Sequence, residues 1–276
     1  MPRATKLRSC LLLASLVPGA AAADVPKPAS DPSPSRHAKE FKIDRQDWTA
    51  EPGLVAGIKR IELRNDYGDV RARSSYAGLL EVHSVVQRLG EGPDDVGVNV
   101  ARHEEVLAIN VTYPPGRTDV AKPRLAKDEI DRCDMVVYVP PGVAFSAQSL
   151  RGIVEARNLQ GDVSASTLEG EIRVSTSGTI RARSRDGGIT VVFPRNDERT
   201  GVSLLESESG AISVTFPSGS HLDLRADTAG AITGNLAVQA QAESGRRRLS
   251  FRSGPGSHSL LVRSERGDVD FYQSDQ

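Results

Sequence analysis

Asp223, Asp227, Asp268 and Asp270 are the carboxylates of this sequence nearest to a catalytic set. Glycosidic hydrolysis needs two carboxyl groups held across one bond, one of them protonated. On strands, Asp223 and Asp270 would face outward, where isolated acidic residues usually serve solvation. The five histidines are His37, His83, His103, His221 and His258, with no H-x-x-x-H or C-x-x-C spacing to hold zinc. His221 and His258 each close a Gly-Ser-His turn and read as one repeat position with a turn role. No G-x-S-x-G elbow presents a nucleophilic serine. Calcium along a β-roll needs consecutive glycine-rich, aspartate-bearing turns. Here Asp69, Asp162 and Asp268 each follow a single glycine, while neighbouring rungs carry Ile153, Glu171 and Thr179. The expectation is a non-enzymatic chain with no metal and no cofactor.

Arginine is the remaining chemistry. Arg71, Arg73, Arg157, Arg173, Arg181 and Arg183 fall at outward strand positions. Stacked strands could align Arg157, Arg173, Arg181 and Arg183 into a ladder facing an acidic glycan or a phosphate-bearing lipid head, the candidate ligand face. The plainer reading, a solvated face that discourages edge pairing, is preferred, because Glu155 and several serines interleave. Aromatic residues make up only 4% of the chain, too few for a sugar-stacking platform. The formal charge is −1, and it becomes −4 once Arg3, Lys6 and Arg8 are removed with a leader. A mildly acidic chain without a basic block is a poor nucleic-acid partner, since phosphate contacts supply most of that affinity.

The leader is itself legible. Arg3, Lys6 and Arg8 precede a short apolar run from Cys10 to Val17, then Pro18-Gly19 and four alanines. This is a secretory signal peptide over residues 1–23 with cleavage after Ala23, and the run is too short for a membrane span. Residues 24–40, with Pro26, Pro28, Pro32 and Pro34, read as a disordered leader. The chain is expected to be exported, periplasmic or at the surface of a bacterial cell. Cys133 alone survives processing, which excludes an intramolecular disulfide. In "RCDMVVYVP" it shares a strand face with Met135, Val137 and Val139 and reads as a buried, inert thiol.

The elements that must position these residues are strands. Alternation runs through "IKRIELRNDYGDVRARSS" and "VGVNVARHEEVLAINVTY", and no stretch has helical period apart from a possible turn at Lys127 to Arg132. One motif then recurs, Gly-x-(Val/Ile)-x-(Ala/Val)-x-(Ser/Asn/Thr), at Gly152, Gly161, Gly170 and Gly178, with an early copy at Gly68 and relatives at Gly210 and Gly267. Gly187 and Gly230 continue the spacing. A strand of six residues rises about 20 Å, so a nine-residue period leaves three residues for a corner. Glycine is expected there for the positive φ of a sharp reversal. Val163, Ala165, Ile172, Val174, Ile180 and Ala182 would point inward. Gly152, Gly170 and Gly187 lie 18 and 17 residues apart, which suits two strands per turn of a flattened solenoid and equally a meander of short hairpins. "GRRRLSF" and the inner Gly234 break the pattern, predicting local irregularity over 230–249.

These rungs, with "VVYVPPGVAFSAQS" and "VTFPSGSHLDLRADTAGAI", resemble the bacterial putative-adhesin family of unknown function. The resemblance covers most of 55–273 and implies a β-solenoid-like envelope domain whose motifs are structural, with no catalytic residues to carry over. The resulting reading is an all-β, repetitive β-solenoid or β-helix-like stack. An N-terminal β cap over 41–134 precedes the repeats of 135–276, and 41–276 could form one continuous domain. Its expected role is adhesion or scaffolding in the envelope, with an envelope glycan or protein as partner. The alternatives are a carbohydrate-active enzyme on the same scaffold and a soluble partner in envelope-stress sensing. Oligomeric state is not encoded.

Overall fold

The computed structural model describes residues 41–89, 96–113, 131–194, 199–255 and 258–275. The expected signal peptide with its Ala23 site, the leader over 24–40 and most of the helical turn at 127–132 lie outside the described residues. Contacts group Lys39–Gln276 into one unit. Among the described residues there are 21 strands and one helix of four residues, Pro52–Val55.

The strands form two sheets, here called front (11 strands) and back (10 strands). Eight coils, each with one front and one back strand, stack in parallel. Coil I is Val106–Thr112 with Arg132–Val139, and coil II is Arg60–Tyr67 with Val70–Ser74. Coil III is Ala144–Arg151 with Val154–Leu159, and coil IV is Val163–Glu169 with Ile172–Thr176. Coil V is Ile180–Ser184 with Ile189–Val192, and coil VI is Gly201–Ser207 with Ile212–Pro217. Coil VII is His258–Ser264 with Val269–Ser274, and coil VIII is Leu222–Thr228 with Ile232–Gly234.

This spatial order is not the order of the chain. Coil II is made before coil I, and coil VIII before coil VII, so each end of the stack has a coil slipped one place inward. The steps that skip a place use the turns Pro140–Val143 and Pro217–His221, where Gly142 and Gly219 adopt φ of 75° and 80°. Antiparallel strands finish the ends. Phe41–Thr49 and Glu81–Leu89 extend the back sheet beyond coil I, and Gly97–His103 covers its front strand. Arg246–Ser253 and Gln241–Glu243 extend the front sheet beyond coil VIII, which is the irregularity expected over 230–249. At the C-terminal end the antiparallel cap folds back on a coil already laid down. There, making coil VIII first and then filling the gap with coil VII leaves the last coil of the chain bonded on both sides instead of fraying at an edge. The boundary expected at 134/135 falls inside the strand Arg132–Val139, and residues 60–74 form an inner coil of the stack.

Alternation behaves as the sequence predicts. Val163, Ala165, Ile172, Val174, Ile180 and Ala182 are all buried, in register with Ile61, Leu63 and Phe145 in front and Val70, Val154 and Ile189 behind. The corner glycines need a correction. Gly68, Gly152, Gly170, Gly187, Gly210, Gly267 and Gly230 form one column at the front-to-back corner. Among them φ is clearly left-handed only at Gly68. Their constraint is space: a Cβ on Gly187 would lie 1.6 Å from the carbonyl oxygen of Gly170 in the coil before. Gly161 and Gly178 stack in the same way at the opposite corner.

A Ser or Thr at the end of a front strand supports these corners. Ser184, Ser207 and Ser264 accept the amide N–H of Gly187, Gly210 and Gly267 at 2.9, 2.9 and 2.8 Å. Thr228 accepts from Gly230 and donates to the carbonyl of Gly267 at 2.6 Å. Aspartate after glycine reaches to the next coil. Asp69 accepts the N–H of Ile153, Asp162 that of Thr179, and Asp268 that of Ala231. Backbone groups that stacking leaves unpaired are thus satisfied by side chains.

Candidate binding faces

Outward positions of the two sheets form two separate surfaces. The four arginines of the expected ligand face do not share one. Arg157 and Arg173 lie on the back, whereas Arg181 and Arg183 lie on the front. With two strands per coil, residues eight apart such as Arg173 and Arg181 fall on opposite sheets.

The back arginines are internally neutralised. Glu155, buried between them, pairs with both Arg73 and Arg157, the latter at 2.8 Å. Arg71 pairs with Asp69 at 3.3 Å and Arg173 with Glu171. Arg181 and Arg183 differ. Both are exposed, and neither makes an ion pair among the described residues. Their front-sheet neighbours toward coil III are Ser164 and Ser166, then Ser146 and Gln148. Beside Arg183 lies a depression of about 350 Å³, lined by Arg64, Asp66, Gln148, Ser166 and Glu208 among others.

A larger depression, about 500 Å³, lies on the same face over coils VII and VIII and their cap. Arg225, Arg248 and Arg263 border it, with Gln239, Gln241 and Ser250 between them and Leu261 and Val238 as apolar lining. The Arg triplet therefore does more than break the repeat. Arg246 and Arg248 grip Asp227, Arg248 also meets Glu243, and Arg247 donates to the carbonyl of Gly230 at 2.7 Å.

The aspartates proposed for hydrolysis do not assemble. Asp223 and Asp227 belong to the front sheet, and Asp268 and Asp270 to the back corner and sheet. The Arg252 guanidinium, 2.8 Å from Asp223, holds that carboxyl below the usual range. Partial burial pushes Asp227 up, but bonds from Arg246 and Arg248 outweigh it and leave it lowered. A general acid needs the opposite shift. Asp270 accepts from the Thr233 hydroxyl, and Asp268 caps a backbone amide. The Gly-Asp aspartates are likewise engaged by backbone, and among the described residues no three of His, Cys, Asp and Glu converge to hold a metal.

His221 and His258 are not equivalent. His258 lies beside Leu222 in register, one place beyond His221, so its ring points inward and is buried while His221 is exposed. The Ser203 hydroxyl accepts the N–H of Ile180 at 3.0 Å and shares a hydrogen bond with His258 Nε2 at 2.9 Å. This hydroxyl–imidazole pair is sealed from solvent, since Ser203 has no exposed surface. Phe193 meets the imidazole edge to face, and the Arg199 guanidinium sits 4.6 Å over the Phe193 ring. Arg199 donates to the carbonyls of Thr176 and Ser177 at 3.0 and 3.2 Å. Burial lowers Arg199 to about 10; burial and then the Arg199 charge lower His258 to about 4. No sequence motif pointed to this cluster, whose members are up to 82 residues apart (Thr176 to His258). Cys133 is buried, and burial followed by the Asp134 charge pushes its thiol up to about 12, as expected of an inert thiol.

No family model matches the chain, and no curated protein matches it. Two solved structures are similar in outline. A putative cell adhesion protein from Clostridium sporogenes shares 11% identity at a TM-score of 0.49, over 84% of this chain and 100% of the other. A putative adhesin from Bacteroides fragilis shares 9% identity at a TM-score of 0.30, over 83% and 97% of the two chains.

Proposed function

We propose that this chain is an exported, non-enzymatic, adhesin-like repeat protein that holds an envelope glycan along its front face, in the periplasm or at the cell surface. The observation that carries the reading is the contrast between the two faces. Back arginines are spent on Glu155, Asp69 and Glu171, whereas Arg181 and Arg183, flanked by Ser164 and Ser166 on one side and Leu204 and Glu206 on the other, make no ion pair among the described residues. From coil II to the cap strand Arg246–Ser253 the front sheet spans seven strand spacings, about 34 Å at 4.8 Å each. That length suits a polymer better than a small metabolite. The stack is rigid because its corners are locked backbone against backbone, so bound sugar would cost little ordering of the protein.

The test immobilises a panel of bacterial envelope glycans and reads retained protein and released oligosaccharide in the same wells. Retention without release is the expected result. Release of fragments overturns the non-enzymatic reading, and absence of both signals overturns the glycan reading in favour of a protein partner.

A further inference from the structure

The larger front depression has a chemistry of its own. Arg225 and Leu261 are register partners on neighbouring strands, as are Asp227 and Arg263, so Arg225 and Arg263 lie on a diagonal with Leu261 at the corner between them. Such diagonal side chains are within about 8 Å of each other, close enough for one anionic group to meet both guanidinium forks. Two of the acids beside them are held by other arginines, while Glu206 lies in register with Arg263 on its far side. Asp227 is taken by Arg246 and Arg248, and Asp223 by Arg252 at 2.8 Å, leaving Arg225 only a 3.7 Å contact with Asp223. Arg263 makes no ion pair among the described residues. Val238 brings a partly exposed apolar side chain over the same hollow, and Gln239 and Gln241 add neutral donors and acceptors.

We infer that this depression binds the acidic sugar of an anionic glycan, with its charged group between Arg225 and Arg263. The apolar C–H face of the pyranose ring rests on Leu261 and Val238, and the ring hydroxyls meet Gln239 and Gln241. This inference rests on the glycan reading above and refines it. The front sheet carries the polymer, and the depression over coils VII and VIII selects an acidic residue. A guanidinium fork matches the two oxygens of a carboxylate or phosphate, which gives the site its preference for a planar or tetrahedral oxyanion over a neutral sugar. The hollow of about 500 Å³ has room for a disaccharide.

The experiment titrates the full chain with a disaccharide ending in a hexuronate, with its carboxyl-reduced counterpart and with inorganic phosphate. Heat and backbone amide shifts are both recorded. Binding of the uronate is expected to shift the amides of Arg225, Leu261 and Arg263 and to weaken at least tenfold when the carboxyl is reduced. The Arg225→Gln/Arg263→Gln variant is expected to lose at least tenfold with its melting temperature unchanged, and Arg225→Lys/Arg263→Lys to fall between. Competition by phosphate supports the oxyanion site and assigns its natural group to a phosphorylated sugar, whereas no competition supports a uronate. Equal binding of the acidic and reduced disaccharides overturns the inference. So does unchanged affinity in Arg225→Gln/Arg263→Gln. If that variant is still retained on the glycan panel as strongly as the unaltered chain, this site falls and the broader reading stands. If the unaltered chain is not retained on any glycan, the broader reading falls with it.

Discussion

Adding one methyl group at Gly187 tests why glycine marks the corners. In Gly187→Ala the new Cβ would sit 1.6 Å from the carbonyl oxygen of Gly170 and 2.3 Å from its carbonyl carbon. Ordinary contact needs about 3.2 Å or more between such atoms, so coils IV and V must part by roughly 1.5 Å at the corner. The atoms in the way are backbone, which cannot swing aside as a side chain can. Two bonds between these coils are exposed to this movement, the Asp186 amide to the Leu168 carbonyl at 3.1 Å and the Ile172 amide to the Gly188 carbonyl at 2.9 Å. Losing two hydrogen bonds costs about 2 kcal/mol, and forced overpacking adds about 1–3 kcal/mol. The expected destabilisation is therefore about 3–5 kcal/mol. At about 2–4 °C per kcal/mol for a domain of this size, melting should fall by roughly 6–20 °C. Two controls isolate the cause. Gly188→Ala has its nearest neighbour at 3.3 Å, an ordinary φ and an expected loss of at most about 1 kcal/mol. Gly219→Ala has open space but φ of 80°, with an expected loss of about 1–2 kcal/mol from backbone strain alone. Thermal unfolding by circular dichroism ranks the three. A Gly187→Ala variant as stable as Gly188→Ala would refute the steric account, and Gly219→Ala as costly as Gly187→Ala would restore positive φ as the reason.

Acid should loosen the structure through His258. Its folded pKa of about 4 lies below the ordinary 6.5, so its contribution is complete above pH 6.5 and is lost as pH falls toward 4. That amounts to about 3 kcal/mol, read as the difference in denaturant midpoint between pH 7 and pH 4. His258→Gln should flatten this part of the profile, and an unchanged profile would remove the imidazole from the explanation. Arg199→Met keeps the length of the stem but abandons the carbonyls of Thr176 and Ser177. A loss of about 2–3 kcal/mol is expected by chemical unfolding, and a neutral result would show those bonds to be dispensable. Cys133 should resist a thiol reagent in the folded chain and react on unfolding. Rapid labelling of the native protein would contradict its burial.

How much of this architecture could be read from residues depends on how local each feature is. Period-two alternation at Val163, Ala165, Ile172 and Val174 needs only neighbouring positions, and it placed the interior correctly. Coil order is different. An inward Ile or Val presents nearly the same surface to any other coil, so nothing in "GDVDFYQ" says that coil VII slips between coils VI and VIII. The two Pro-x-Gly turns at 140–142 and 217–219 were visible as motifs, yet their consequence, a step of two places, appears only in the pairing. The arginine face failed for a simpler reason. Two strands per coil puts Arg173 and Arg181 back to back, and that spacing was already in the sequence. The larger front depression was beyond reach, because Arg225, Arg248 and Arg263 meet across three strands whose spatial order differs from their order in the chain.

The most direct measurement compares retention of three proteins on the envelope glycan that the panel selects, across a range of salt. These are the unaltered chain, the front variant Arg181→Gln/Arg183→Gln and the back variant Arg157→Gln/Arg173→Gln. A binding front face predicts that the front variant loses retention and has a shallower salt dependence, while the back variant, with its arginines already committed to Glu155 and Glu171, binds as before. Equal loss in both variants, or loss confined to the back, would contradict it.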